Sequence, residues 1–187
     1  MAKGVWGVFR EDASRWIIQG TLTPASQVTF FRAIALLYRY RALRATLLFR
    51  IGGWFHRNHV PLIPGILQRR IASVYGLEIE IGAQIGGGLY IAHPVGTVIA
   101  PKRIGENCSI ISCVTIGMRN EWEFPTIGDN VFIGAGARVL GGLTVGNDAV
   151  VGANAVVIDD VPAGATMVGI PAKVVRRPAD LSIKDTA

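Results

Sequence analysis

His93 is the residue whose type and position most suggest chemistry. An imidazole has a pKa near ~6.5, so it can accept and return a proton at neutral pH. His93 is the only histidine beyond residue 59, and it lies in Ile-Ala-His-Pro-Val-Gly-Thr, where a regular pattern of residues slips by one position. An isolated histidine is also a common surface residue. The residues alone therefore leave a catalytic role and a surface role open.

A second interruption of the same pattern covers residues 118–126, which read Met-Arg-Asn-Glu-Trp-Glu-Phe-Pro-Thr. This segment is about five residues longer than the pattern requires. Loops that are displayed on a rigid scaffold often carry binding sites. We therefore interpret the segment as an extended loop that could contribute to a functional site.

The two cysteines, Cys108 and Cys113, do not indicate a metal site or a disulfide framework. They lack the repeated pairs and histidine partners of a zinc site. Cys108 occupies a small-residue position of the repeat and is expected in the core, and Cys113 is expected to pack as well. No glycine-rich phosphate-binding motif occurs between a strand and a helix. No metal is expected.

The interrupted pattern is a repeat of six residues that runs through the second half of the chain. Glycine often follows the aliphatic residue of a repeat, and a small or apolar residue comes four positions after it. The aliphatic positions are Ile79, Ile85, Ile91, Val98, Ile104, Ile110, Ile116, Ile127, Ile133, Val139, Val145, Val151 and Val157.

A period of six fits neither a helix nor a single strand. It fits a prism in which each hexad is a short strand followed by a corner, so that three hexads make one coil. Each aliphatic residue then points inward and stacks on its equivalent 18 residues later, as Ile127 would on Val145. The sequence therefore predicts a mainly β fold, a parallel β-helix of four to five coils.

Composition and charge narrow the class of protein. The 187 residues are 50% hydrophobic and 17% charged, which excludes a disordered chain. Residues 1–77 carry a net charge of +9 and residues 78–187 a net charge of −3. No signal peptide and no run of ~20 apolar residues is visible, so a cytoplasmic location is expected.

The basic first part reads as helical, mainly over residues 25–60. Ser26 could cap a helix whose apolar stripe comprises Phe30, Phe31, Ile34, Leu37 and Tyr38. One interpretation is a helical cap on the open end of the β-helix, with the interleaved arginines in solvent. The other is peripheral contact with an anionic membrane, at the inner face of the membrane. A nucleic-acid partner is disfavoured, because no recognised motif accompanies the charge.

Over residues 48–175 the chain resembles the hexapeptide-repeat acyltransferases, specifically the serine acetyltransferase family with its exopolysaccharide O-acetyltransferase relatives. The resemblance implies a left-handed β-helix, a homotrimer, and acetyl-CoA bound as acyl donor between adjacent prisms. Together with the change in charge and glycine content near Gly76, it divides the chain into a basic helical segment at 1–76, an acyltransferase domain at 77–175 and a tail at 176–187. The matching blocks are residues 76–83, the His93 segment, 114–117, 133–137 and 169–173.

The resemblance also implies roles for individual residues. His93 corresponds to the catalytic base, and Glu78 to the carboxylate that orients it, with Glu in place of the family's Asp. Three small residues correspond to positions along the pantetheine arm, and a lysine to a basic residue near the phosphate end of the cofactor. These cofactor positions are Gly117, Ala135, Ala153 and Lys173.

Three departures bear on the acceptor. Glu123-Phe124 stands where serine acetyltransferases carry an Arg-His pair that holds the carboxylate of the amino acid. Ala92 replaces an aspartate beside the catalytic histidine, and the helical segment is shorter than is typical. We therefore expect a neutral acceptor, a saccharide hydroxyl of surface-polysaccharide synthesis, with Trp122 and Phe124 as a stacking face. Serine acetylation and a non-catalytic β-helix scaffold remain the alternatives.

Overall fold

A computed structural model describes residues 4–176 of the chain. Residues 4–75 contain the four helices and the segments that connect them, and the remaining described residues form short strands and corners. Ala25–Gln27 form one 3-10 turn. The tail expected at 176–187 lies outside the described residues apart from Arg176. The helices are α1 (Val5–Ser14), α2 (Phe30–Arg39), α3 (Arg41–Arg57) and α4 (Ile63–Tyr75).

The strands form three sheets, A, B and C, which the chain visits in that order in every coil. Neighbouring strands pair in parallel, except that β15 is antiparallel to β14. Sheet A contains β1 (Leu77–Ile79), β4 (Thr97–Ile99), β7 (Thr115–Gly117), β10 (Arg138–Leu140) and β13 (Val156–Val157). Sheet B contains β2 (Gln84–Ile85), β5 (Arg103–Ile104), β8 (Thr126–Ile127) and β11 (Thr144–Val145). Sheet C contains β3 (Tyr90–His93), β6 (Ser109–Ser112), β9 (Phe132–Ile133), β12 (Val150–Val151), β14 (Thr166–Gly169) and β15 (Ala172–Arg176).

This architecture confirms the predicted parallel β-helix, with about five coils. Ile127 and Val145 are directly paired, as the period requires, and both are buried. One position of the predicted stack is wrong. Val98 is only half-buried, whereas Ile99 is fully buried and pairs with Ile79 and Ile116. The corner after His93 therefore shifts the inward position by one residue more than the sequence pattern indicated.

The first coil of the β-helix is covered by α3 and α4. Phe49, Ile71 and Tyr75 belong to the same apolar core as Leu77 and the stacked aliphatics of the coils. This core confirms a helical cap on the open end. None of the helices within residues 4–176 combines the length and apolarity needed to cross a bilayer.

Helix α2 differs from its prediction in two respects. Its N-cap is Thr29, whose side chain accepts a hydrogen bond from the Arg32 amide at 3.3 Å, rather than Ser26. Its buried residues are Ala33 and Leu36. The expected apolar stripe is not a core face, because four of its five members are exposed and Leu37 is half-buried: Phe30, Phe31, Ile34 and Tyr38.

The arginines are not all in solvent, which corrects the expectation for Arg50. Its guanidinium donates to both carboxylate oxygens of the fully buried Asp12, at 2.8 and 2.9 Å. It also donates to the carbonyls of Ile85 and Gly86, each at 2.6 Å. The buried Arg15 similarly bonds to the carbonyls of corner residues in the first two coils. These contacts join the helices to the β-helix through its backbone.

Candidate active site

His93 is the last residue of β3, and its side chain is exposed. It therefore stands at the edge where the chain leaves sheet C for sheet A, which we call the CA edge. The hydroxyl of Thr97 donates to the His93 carbonyl at 3.3 Å. Among the described residues no hydrogen bond to the imidazole itself occurs. The ring is thus free to meet a ligand on the outside of the prism.

The corner after His93 is held against the start of the β-helix. The Gly96 amide donates to the Gly76 carbonyl at 2.9 Å. Gly76 has a left-handed backbone with φ 64°, and a Cβ atom there would lie 3.3 Å from the Val95 Cα. Glycine is needed for both reasons. The backbone that carries His93 is consequently fixed by a close contact between two coils.

Two of the predicted cofactor residues lie along the same CA edge as His93. His93 pairs with Ser112 of the next coil, and the Ser112 carbonyl accepts the Gly136 amide at 2.7 Å. The carbonyl of Ala135 in turn accepts the Asn154 amide at 2.8 Å. His93, Ala135 and Ala153 thus lie on the first, third and fourth corners of the CA edge. The stacked corners form a strip that runs the length of the prism.

Glu78 lies on β1, between the buried residues Leu77 and Ile79, and its side chain is exposed. It pairs with Val98 of β4, the strand that follows the His93 corner. The fold therefore brings Glu78 next to this corner in the coil below. No hydrogen bond joins the Glu78 carboxylate and the His93 imidazole among the described residues.

Gly117 and Lys173 lie elsewhere. Gly117 ends β7 at the opposite edge of sheet A, where a Cβ atom would meet nothing within 4 Å. Lys173 is exposed on β15 and pairs with Val168 of β14 in the C-terminal hairpin. The single chain therefore does not gather all four predicted cofactor residues on one edge.

The extended loop leaves sheet A directly after Gly117. The rings of Trp122 and Phe124 pack edge to face, with centroids 5.4 Å apart, and Trp122 is 80% exposed. Glu123 lies over Gly142, because a Cβ atom at that glycine would be 2.3 Å from the carboxylate. The loop borders a cavity of about 400 Å³ with one cation and four carboxylates on its wall: Arg119, Glu121, Glu123, Asp159 and Asp160.

The two cysteines differ in a way that the sequence did not reveal. Cys108 is buried as predicted, and burial raises the pKa of its thiol to about 11. Cys113 is exposed, which corrects the expected packing role. It has a left-handed backbone with φ 53° on the CA edge, and its Sγ lies 3.7 Å from the Val95 carbonyl. This contact and the pairing of β3 with β6 show that Cys113 neighbours the His93 corner.

Comparisons with known proteins agree with this architecture. The family model for bacterial transferase hexapeptide (six repeats) matches residues 124–159. The chain is 36% identical over 148 residues to a serine acetyltransferase of Synechococcus elongatus, covering 77% of this chain and 61% of that protein. It is 38% identical over 146 residues to a serine acetyltransferase of Helicobacter pylori, covering 76% of this chain and 85% of that protein.

Solved structures of the same family superpose closely on the chain. The soybean serine acetyltransferase apoenzyme has a TM-score of 0.79 at 31% identity, covering 92% of this chain and 69% of that one. A serine acetyltransferase in complex with CoA has a TM-score of 0.74 at 30% identity, covering 91% of this chain and 68% of that one. With its parallel coils and its CA edge, the chain belongs to the serine acetyltransferase family of hexapeptide-repeat acyltransferases.

Proposed function

We propose that the chain is an acetyl-CoA-dependent O-acetyltransferase in which His93 acts as general base. The observation that carries the proposal is the CA edge, where an exposed imidazole stands in line with the small residues Ala135 and Ala153. A long, thin acyl carrier can lie along such a strip only where side chains are small. The relative solved with CoA supports acetyl-CoA as the donor.

The chemistry needs a base because a hydroxyl is a weak nucleophile at neutral pH. The His93 imidazole removes the hydroxyl proton as the oxygen attacks the thioester carbonyl carbon. The carbon–sulfur bond then breaks, and the imidazolium returns the proton to the departing thiolate. Glu78 acts as a positioning residue in this scheme, since a carboxylate on the second ring nitrogen would fix the tautomer.

Serine is the acceptor that the comparisons favour over the saccharide expected from the sequence. The proteins from Synechococcus and Helicobacter and the soybean structure are all serine acetyltransferases. We therefore place serine O-acetylation first and saccharide O-acetylation second.

One observation favours the second candidate, on the condition that the homotrimer proposed below brings the extended loop of one chain to the His93 of a neighbour. The cavity beside the extended loop carries Glu121, Glu123, Asp159 and Asp160 against the single cation Arg119. The four carboxylates outnumber Arg119, so a carboxylate substrate would be repelled there. The exposed Trp122 ring would suit a neutral sugar.

An acceptor assay separates these candidates. Release of the CoA thiol is followed with L-serine and with a panel of neutral mono- and oligosaccharides. Serine acetylation predicts turnover with L-serine, and Glu123→Gln should then lower its KM, because a repelling carboxylate is removed. Turnover with a sugar alone, lost in Trp122→Ser, would establish the saccharide. A chain that releases no CoA with any acceptor would support the scaffold alternative.

We further propose a homotrimer, because His93 stands on an exposed edge and a closed site requires a second surface. The exposed Val95 and Ile170 near the ends of this edge suit such a contact. Light scattering should give about three times the 20.0 kDa of one chain. The domain limits at residues 76 and 175 and the cytoplasmic location stay predictions.

A further inference from the structure

Helix α2 presents a continuous apolar face to the outside of the chain. Phe30, Ile34 and Tyr38 are spaced by four residues, and Phe31 lies beside them on the same side of the helix. Their exposed fractions are 64% for Phe30, 82% for Phe31, 50% for Ile34 and 88% for Tyr38. We call these four residues the α2 face. Isolated exposed apolar residues are ordinary, but a contiguous aromatic face indicates a binding surface.

The α2 face continues onto α1 through Trp6. The Trp6 ring lies 6.4 Å from the Phe30 ring and 6.1 Å from the buried Phe9 ring, and Trp6 is itself 45% exposed. The opposite side of α2 is already satisfied, since Ala33 and Leu36 pack into the helical core with Leu43. The residues of the α2 face are therefore not part of the helical core of the cap.

Positive charge surrounds this face, and negative charge is absent from its sequence neighbourhood. Residues 13–77 contain nine arginines and no Asp or Glu. Arg44 donates to the carbonyls of Leu37 and Tyr38 at 2.7 and 2.9 Å, which places its guanidinium at the C-terminal end of the face. Arg32 and Arg39 are exposed on the same helix. Asp12, one of the two acids that precede this stretch, is neutralised by the buried Arg50.

These observations select among possible occupants. A second copy that packed its own α2 face here would bring arginines against arginines, with no carboxylate from residues 13–77 to pair with them. An anionic bilayer suits both the arginines and the aromatic rings, because its headgroups attract arginine and its interfacial region accepts aromatic side chains. We propose that the α2 face docks the protein on the surface of an anionic lipid bilayer. The Phe and Tyr rings enter the interface, and Arg32, Arg39 and Arg44 contact the headgroups.

Vesicle sedimentation tests this docking without reference to the acetylated acceptor. The full chain should bind vesicles of phosphatidylcholine with a quarter of phosphatidylglycerol and bind pure phosphatidylcholine much more weakly. Arg32→Gln with Arg39→Gln should lower the partition coefficient roughly 30-fold, at about fivefold for each arginine. Phe31→Ser with Tyr38→Ser should lower it about tenfold or more, because two rings no longer leave water.

Trp122→Ser is the matched control, since Trp122 is equally exposed but belongs to the extended loop. It should bind vesicles like the unaltered chain. The α2 variants should keep their melting temperature and their CoA release, which separates docking from folding and catalysis. Absence of binding to the anionic vesicles, or equal binding by the Phe31/Tyr38 variant, would overturn the proposal. A smaller assembly in that variant, with vesicle binding intact, would assign the face to a second copy instead.

Discussion

His93 lies directly opposite Ser112 in the parallel pairing of β3 with β6. This register places the end of β3 on the same edge as the next corner, where Cys113 is exposed. The Ser112 carbonyl continues the edge to Gly136, and through the next corner to Asn154. The position of the imidazole is therefore set by the stacking of coils rather than by a side-chain network. Substitutions along the CA edge should therefore change the binding of ligands while leaving the coils intact.

Replacing His93 with Gln should remove most of the acetyl transfer. Loss of a general base typically costs about 10²- to 10⁴-fold in rate. The His93 side chain is exposed and makes no hydrogen bond within the described residues, so the melting temperature should not change. CoA release and thermal unfolding measure the two effects. His59→Asn alters another exposed histidine and should retain full activity. An active His93→Gln protein would remove His93 from the mechanism.

Glu78→Gln tests the positioning role separately. If the carboxylate orients the imidazole, kcat should fall about tenfold or more, whereas the KM for acetyl-CoA should stay unchanged. The side chain points outward from β1, so stability should be unaffected. Glu80→Gln, the next outward residue of this segment, is the control. Equal kcat values for the Glu78 and Glu80 variants would show that Glu78 is only a surface residue.

The predicted path of the cofactor can be tested at two exposed alanines. Ala153 lies on the CA edge, and Ala163 lies on the corner that joins sheet B to sheet C. Ala153→Leu should raise the KM for acetyl-CoA about tenfold or more, because the larger side chain occupies the strip where the carrier would lie. Ala163→Leu adds the same bulk at another edge and should leave this KM unchanged. A similar KM in both variants would place the cofactor elsewhere.

The sequence predicted the repeats well because an aliphatic residue recurs at one fixed position of each hexad. That position is the one that points into the prism. It failed at Val98, since Val98 and Ile99 are both aliphatic and only the coil pairing shows which of them points inward. The exposure of Cys113 was missed for a related reason. Its neighbours across the corner are 18 residues away, where no local pattern can show them.

The helices were harder to predict than the coils. Phe30, Ile34 and Tyr38 have the spacing of a core stripe, yet they are exposed. The residues of α2 that face the core are Ala33 and Leu36. Hydrophobic spacing shows that a face exists but not what covers it. Arg50 was missed because its partner, Asp12, lies on another helix, 38 residues away. The candidate site itself depended on the resemblance, since His93 alone also fits a surface role.

The two thiols should react at very different rates. Burial raises the Cys108 pKa to about 11, so at pH 8 roughly one in a thousand of these thiols is ionised. Cys113 is exposed. Iodoacetamide should therefore modify Cys113 rapidly and Cys108 only after denaturation, as peptide mass spectrometry would show. Acetyl-CoA should slow the modification of Cys113, because the thiol lies on the CA edge. Rapid modification of both cysteines in the folded protein would contradict the burial of Cys108.

The Arg50–Asp12 ion pair should control the stability of the junction between cap and β-helix. Arg50→Met leaves a fully buried carboxylate without its partner, and two corner carbonyls without a donor. Breaking a buried pair in this way costs about 3–5 kcal/mol in the free energy of unfolding. Urea unfolding at one fixed protein concentration measures the loss. Arg57→Met removes an exposed arginine from the same helix and should cost no more than about 0.5 kcal/mol. Equal losses in both variants would mean that the buried pair adds no stability beyond that of a surface arginine.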